Sequence, residues 1–300
     1  MEEQRQKPGS IIEKRTDKLE NVSARRRRIR RGGDRSFGVI NAILMSVVCI
    51  TILYPLYYVL VASVTDPVVA ASGKLLLYPE GWQLRGYQAI LGAQMLWIGY
   101  ANTIKYTFWG TLISLVCTIP AGYALSRRDL PGRSILLFLF TFTMFFSGGM
   151  IPTFLLVRAL GMYNTIYAMI FPTALSVYNL IVCRSFFENT IEKELLDAAK
   201  IDGCSDFGCF FRIALPLSSA IVAVMALFYA TSIWGQYFNA LLYLQDDMKM
   251  PLQYVLQLLL RMAPDLKYCA VVLTAFPMLL AYPFFQKYIA KGVYIGAVKG

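Results

Sequence analysis

The chain has 300 residues, a formal net charge of +11 and no histidine. Hydrophobic residues make up 57% of it, charged residues only 16%, and the mean hydropathy is +0.52. That is more apolar side chain than a water-soluble core can enclose, so the composition excludes a soluble domain and predicts an all-α, polytopic membrane protein. Lack of histidine also excludes a Ser-His-Asp centre and most zinc sites, and no cysteine pair has CxxC spacing. The six cysteines read as reduced packing residues.

Residues 1–36 are polar and basic, with a dense run of Arg25, Arg26, Arg27, Arg28, Arg30, Arg31 and Arg35. The charge is concentrated here and in alternate loops, which predicts retention on the cytoplasmic side and attraction to anionic membrane lipid rather than a nucleic-acid partner. The apolar run 37–64 is too long for a signal-peptide core and lacks a small-residue cleavage site, so it is expected to stay as the first span. An external segment, 65–97, follows; its stretch GWQLRGYQAIL reads as a short helix. A second span, 98–125, ends in Ser126-Arg127-Arg128, which with Arg133 marks an inner loop. A third, 134–157, is interrupted by Gly148, Gly149 and Pro152, predicting a kink or a close helix contact. A fourth runs over 165–186 with Pro172 inside it, a fifth over 215–244 and a sixth over 268–285. Residues 245–267 read as an outer loop of mixed charge. The sum is six spans with both termini inside.

Between the fourth and fifth spans lies the one charged, helix-forming stretch of any length, at about 188–216. Leu195, Ala198, Ala199 and Asp202 recur at three- and four-residue spacings and share a helix face. The two alanines flatten part of that face, so another surface can approach it closely. Gly203 suits the left-handed residue that stops a helix. Ser205 or Asp206 can cap a second short helix carrying Phe207, Phe210 and Phe211. Pro216 opens the next apolar run. From periodicity alone, a helix–stop–helix knob competes with a solvated connecting loop.

The same stretch resembles the EAA loop of ABC importer permeases: an acidic residue, two alanines, three residues, glycine, nine residues, then I-x-L-P. Asp197, Ala198, Ala199, Gly203, Ile213, Leu215 and Pro216 keep the full spacing. Asp197 stands where glutamate is usual, with Glu194 one turn earlier. By this resemblance the chain is identified as a member of the type I importer permeases, with a permease core at 98–287 and a tail at 288–300. The resemblance implies that the loop is a coupling helix docking on a cytoplasmic ATPase, through Glu194, Asp197, Ala198, Ala199, Asp202, Gly203, Phe207, Ile213, Leu215 and Pro216. It implies as partners a second homologous permease, two ABC ATPase subunits and an extracellular substrate-binding protein. The expected location is the bacterial cytoplasmic membrane. There is no GxxxxGK[ST] loop in the chain, so ATP and magnesium are expected on the ATPase subunits, and no cofactor and no catalysis on this one.

A narrower resemblance is to carbohydrate permeases. The stretch TDPVVAASGKLLLYPEGWQLRGYQAIL and the tail FFQKYIAKGVYIGAVKG are similar to those of the subfamily handling oligosaccharides, uronic-acid oligomers included. SIWGQYFNALLYL resembles a sugar-permease segment, although Gly235 and Gln236 replace its usual Asn and acidic residue.

Polar and aromatic residues within spans are the candidates for a sugar path: Trp234, Gln236, Tyr237 and Asn239 on the fifth span, faced by Tyr178 and Asn179 on the fourth. The competing reading makes the aromatics interface anchors and the amides helix-joining groups. Lys105, about two turns into the second span, either snorkels to the outer interface or draws in an anionic sugar. The alternative to an ATP-driven importer is a secondary transporter or channel. It should carry inverted repeats or a carboxylate deep in a span, and no acidic residue lies there. A membrane-embedded enzyme would need a nucleophile or metal set that the chain lacks.

Overall fold

The computed structural model describes residues 37–72 and 77–297, and all regular structure among them is helical. The basic segment 1–36 lies outside the described residues. The chain divides into two compact units, Met1–Leu60 and Val61–Gly300. In the first, the described residues form most of one helix, α1 (Phe37–Ser63), whose most apolar window buries none of its residues within the chain. A helix that is apolar all round and unburied suits a lipid or protein surround.

The second unit is organised on α4 (Gln94–Ser126), 33 residues long. Two short helices precede it, α2 (Pro67–Ala71) and α3 (Arg85–Gly92). Then come α5 (Arg133–Phe145), α6 (Met150–Ala159), α7 (Ile166–Ile170), α8 (Val177–Thr190) and α9 (Lys193–Ile201). The rest are α10 (Asp206–Gly208), α11 (Leu215–Leu217), α12 (Ser219–Trp234), α13 (Phe238–Tyr243), α14 (Leu252–Met262) and α15 (Lys267–Ala297).

α4 packs along α8 and α12, and α12 packs on α15. Lipid is as apolar as leucine, so such helices associate by close packing and hydrogen bonds rather than by apolar burial. Small residues allow the approach. A Cβ added at Gly122 would lie 2.7 Å from the Cys183 sulfur, and one at Gly99 3.2 Å from the Leu252 Cα. Around them Tyr106, Ile119, Phe187, Met225, Tyr229 and Ile233 form part of one buried core. The Tyr229 hydroxyl lies 2.6 Å from Thr118 Oγ1 and accepts a bond from the Ser176 backbone N–H at 3.1 Å, joining α12 to α4 and to the start of α8.

Among the described residues three helices are long and apolar enough to cross a membrane, α1, α4 and one at Pro264–Phe284, and three bent pairs bring the number to the expected six if each pair is one span. The third span is broken, not kinked: α5 and α6 meet at 112°. Gly149 sits between them at φ 86° and ψ 172°, a conformation that essentially only glycine adopts. The fourth bends by 51°, because Pro172 tightens the chain into a 3₁₀ turn at Phe171–Thr173 before Ser176 caps α8. The fifth bends by 79° where α12 begins, just after Pro216, and its helix stops at Trp234. α13 is separate. The second span begins at Gln94 rather than 98, and the sixth helix continues through the expected tail to Ala297.

Residues 245–267 are not simply a loop. Leu252, Val255, Leu256 and Leu259 recur at helical spacing and make α14, which packs on α4 and α15. The approach to α14 is pinned to α4 by side chains. Asn102 Nδ2 donates to the carbonyls of Met248 and Met250, Tyr106 Oη donates to that of Lys249 at 2.7 Å, and Thr103 Oγ1 accepts from the Leu252 N–H at 2.7 Å.

Candidate functional site

Two features stand out, a knob after α8 and a cleft beside α12. The knob starts with α9, with Glu194 in its first turn and Lys200 in its last, both favourable to the helix dipole. Gly203, at φ 83°, ends it. The Cys204 N–H reaches the Ala199 carbonyl and the Gly203 N–H the Lys200 carbonyl, which is the Schellman pattern. Of the two expected caps, Ser205 is the one used: its Oγ accepts from the Gly208 N–H at 3.2 Å. The second helix is shorter than expected and differently wound. After α10, residues Cys209–Ala214 form a π-helix that leads through Leu215 and Pro216 into α12. Phe210 turns inward, its ring 5.2 Å from that of Tyr123, while Phe207 and Phe211 stay exposed.

α9 buries Leu196 and leaves Leu195, Asp197 and Ala198 exposed, with Ala199 half-buried. Asp202 is exposed, Ile201 is 87% exposed and Phe207 79% exposed. Ile213 and Leu215 are half-buried at the root of the knob, and Pro216 is exposed. Of the two readings that periodicity left open, the helical knob is the one present, and its exposed side chains mix apolar Leu195, Ile201 and Phe207 with charged Glu194, Asp197, Lys200 and Asp202.

Charges tie this knob to the loop after α4. Arg127 grips Asp129 with two bonds, Nε to Oδ1 at 3.0 Å and Nη2 to Oδ2 at 2.8 Å. Lys200 Nζ lies 3.4 Å from Asp129 Oδ2 and 3.1 Å from Asp206 Oδ1. The Arg127 hydrogen bond holds the Asp129 carboxyl well below the usual carboxylate range, and the bond to Asp206 raises the Lys200 ammonium. Nearby, Glu188 bridges Arg133 at 3.0 Å and Arg184 at 2.6 Å, and Arg133 Nε also donates to the Leu125 carbonyl.

The cleft, about 1260 Å³, is bounded by α8, α12, α14 and α15. It brings together three of the expected path residues, Tyr178, Asn179 and Trp234, with hydroxyl and amide groups at Thr173, Ser176, Ser232, Gln253 and Thr274. No Asp, Glu, Lys or Arg lines it. Trp234 is 8% exposed, and its Nε1 donates to the Thr274 carbonyl at 3.4 Å. Gln236 adjoins the cleft, its Nε2 donating to Thr173 Oγ1 at 2.9 Å. Tyr237 does not line it; its ring stacks on that of Tyr254 at 6.1 Å. Asn239, on α13, does not line it either, and Lys105 lies on the exposed stripe of α4 with Ile104 and Phe108. Thr173, Ser232, Gln253 and Thr274 escaped sequence reading because they are ordinary polar residues in apolar runs; only the crossing of four helices gives them a common face.

A bundle of broken apolar helices, with an exposed helical knob after α8 and a largely apolar cleft that carries aromatic rings, hydroxyls and amides, is the build of a membrane permease subunit. Residues 22–294 match the family described as binding-protein-dependent transport system inner membrane component. The chain belongs to that family: it is a multi-pass inner-membrane permease component of an ABC importer. It is 38% identical to the polygalacturonan/rhamnogalacturonan transport system permease protein YtcP of Bacillus subtilis, over 86% of this chain and 95% of that one. It is 32% identical to the arabinooligosaccharides transport system permease protein AraQ of Halalkalibacterium halodurans, over 69% and 76%. Among solved structures it resembles, with a TM-score of 0.76 and 31% identity over 86% of this chain and 98% of that one, a chain of a bacterial ABC transporter involved in the import of the acidic polysaccharide alginate.

Proposed function

We propose that this chain is one of two homologous permeases forming the path for an oligosaccharide, an acidic one, delivered by an extracellular binding protein and driven by two cytoplasmic ATPase subunits that carry the ATP and magnesium. The relatives named for polygalacturonan/rhamnogalacturonan and for alginate support the substrate class. The observation that carries the sugar part of the reading is the uncharged cleft, whose aromatic rings, hydroxyls and amides, set among aliphatic side chains, are the groups that stack on sugar rings and bond their hydroxyls. Trp234 and Tyr178 supply ring faces, and Asn179, Ser232 and Gln253 supply hydrogen bonds. The knob, with Asp197, Ala198, Ala199 and Gly203 on or beside its open face, docks in the ATPase. By this reading the knob and the loop after α4 lie on the cytoplasmic side, and so do both chain termini.

The test is uptake of an oligogalacturonate by the complete transporter in proteoliposomes. Asn179→Ala and Ser232→Ala are expected to lower uptake several-fold, because each removes a sugar-facing group, while leaving assembly with the ATPase intact. Parental uptake in both variants would overturn the assignment of the cleft.

A further inference from the structure

α9 is weakly anchored for an element proposed to transmit force. It buries one side chain of its own, Leu196. It leaves the knob through a single left-handed residue, Gly203, beside which a Cβ would meet nothing within 4 Å. Packing alone therefore leaves the angle of α9 soft. Four charges cross this gap in series. Arg127 is the residue that ends α4, and its two-bond grip stiffens the short chain to Asp129. Asp129 reaches the last turn of α9 at Lys200, and Lys200 reaches past Gly203 to Asp206, the first residue of α10. The series thus joins the end of the central helix to both sides of the knob's flexible turn.

We infer that Lys200 is a positioning residue for energy coupling, clasped between Asp129 and Asp206 so that movement of α4 and movement of the docking helix α9 are transmitted to one another. This rests on the docking role proposed above for the knob. Exposed ion pairs of this kind contribute little to folding. Direction is what the clasp supplies, because a chain of opposed charges resists both rotation and withdrawal of α9. The polar ends can still exchange for water as the complex cycles.

The test uses the assembled transporter with its binding protein and substrate, reading stimulated ATP hydrolysis, sugar moved per ATP, and the thermal midpoint. Lys200→Met, which keeps the length and removes the charge, is expected to lower stimulated hydrolysis about threefold with an unchanged midpoint. Lys200→Arg is expected to retain most of it. Asp129→Asn alone should also give about a threefold loss, and the double variant no more than either single one, since both break the same link. A ninefold loss in the double variant would overturn the clasp, showing that Lys200 acts independently of Asp129. A loss that follows a fallen midpoint would overturn it equally, as would parental behaviour of Lys200→Met. Gly203→Val serves as the control: if it too leaves coupling intact, the docking role of the knob is what fails. If Gly203→Val uncouples and the Lys200 variants do not, only the clasp fails.

Discussion

The two ends of α4 are held by opposite kinds of interaction. At the Gln94 end, neutral side chains bond backbone groups: Asn102, Thr103 and Tyr106 fix residues 248–252, and Gly99 lets Leu252 lie against the helix. Thr103 and Tyr106 are buried, so water competes poorly for their bonds, above all for that of Thr103 to the Leu252 N–H. At the Ser126 end the links are ion pairs, most of them partly exposed, beneath a knob that leaves Leu195, Ile201 and Phe207 uncovered. Water competes for each such pair, so single links exchange at low cost while the series still sets the direction of α9. The difference separates a segment held by buried neutral bonds from one held by links that water can replace.

The comparison can be broken first at the knob's turn. Gly203→Val forces a β-branched residue to φ 83°, a strain of about 1–3 kcal/mol that re-aims α9. The expected outcome is a chain that still inserts in the membrane with more than tenfold less substrate-stimulated ATP hydrolysis; normal stimulation would refute the docking role. Next is the less exposed ion network. Glu188→Gln removes the charge between Arg133 and Arg184, whose side chains are about a fifth exposed. It should cost about 1–3 kcal/mol and lower the unfolding midpoint in detergent. An unchanged midpoint would show this end to be as replaceable as the Asp129–Lys200 link.

At the fixed end, Thr103→Val leaves the Leu252 N–H without its acceptor in a buried position. A loss of about 1–2 kcal/mol is expected, with protection of residues 248–252 against hydrogen exchange falling in parallel. Protection unchanged there would mean the segment is held by α14 packing alone. The smallest effect belongs to Lys105. It sits on the exposed stripe of α4 and does not line the cleft, so Lys105→Gln should change uptake of a charged sugar less than twofold, and no more than that of a neutral one. A selective tenfold loss for the charged sugar would bring that face of α4 into the path.

Much of this was legible in the residues themselves. Membrane residence follows from composition, because 57% hydrophobic side chain has no soluble solution. The turn of the knob follows from local chemistry once a helix is there: Gly203 stops α9 and Ser205 caps α10, since capping and left-handed turns depend on residues within one turn of each other. The tertiary structure decided what depends on distant neighbours. It set the 112° break at Gly149, which a run of glycines permits but does not orient. It made α14 out of an apparent loop by giving Leu252 and Val255 a surface to cover. It drew Asn179 and Trp234 to one cleft while leaving Tyr237, Asn239 and Lys105 off its lining. Which way a polar side chain points, and what charge it meets across 71 residues as Lys200 meets Asp129, is fixed by how helices cross, and helix crossing is a property of packed surfaces rather than of any one segment.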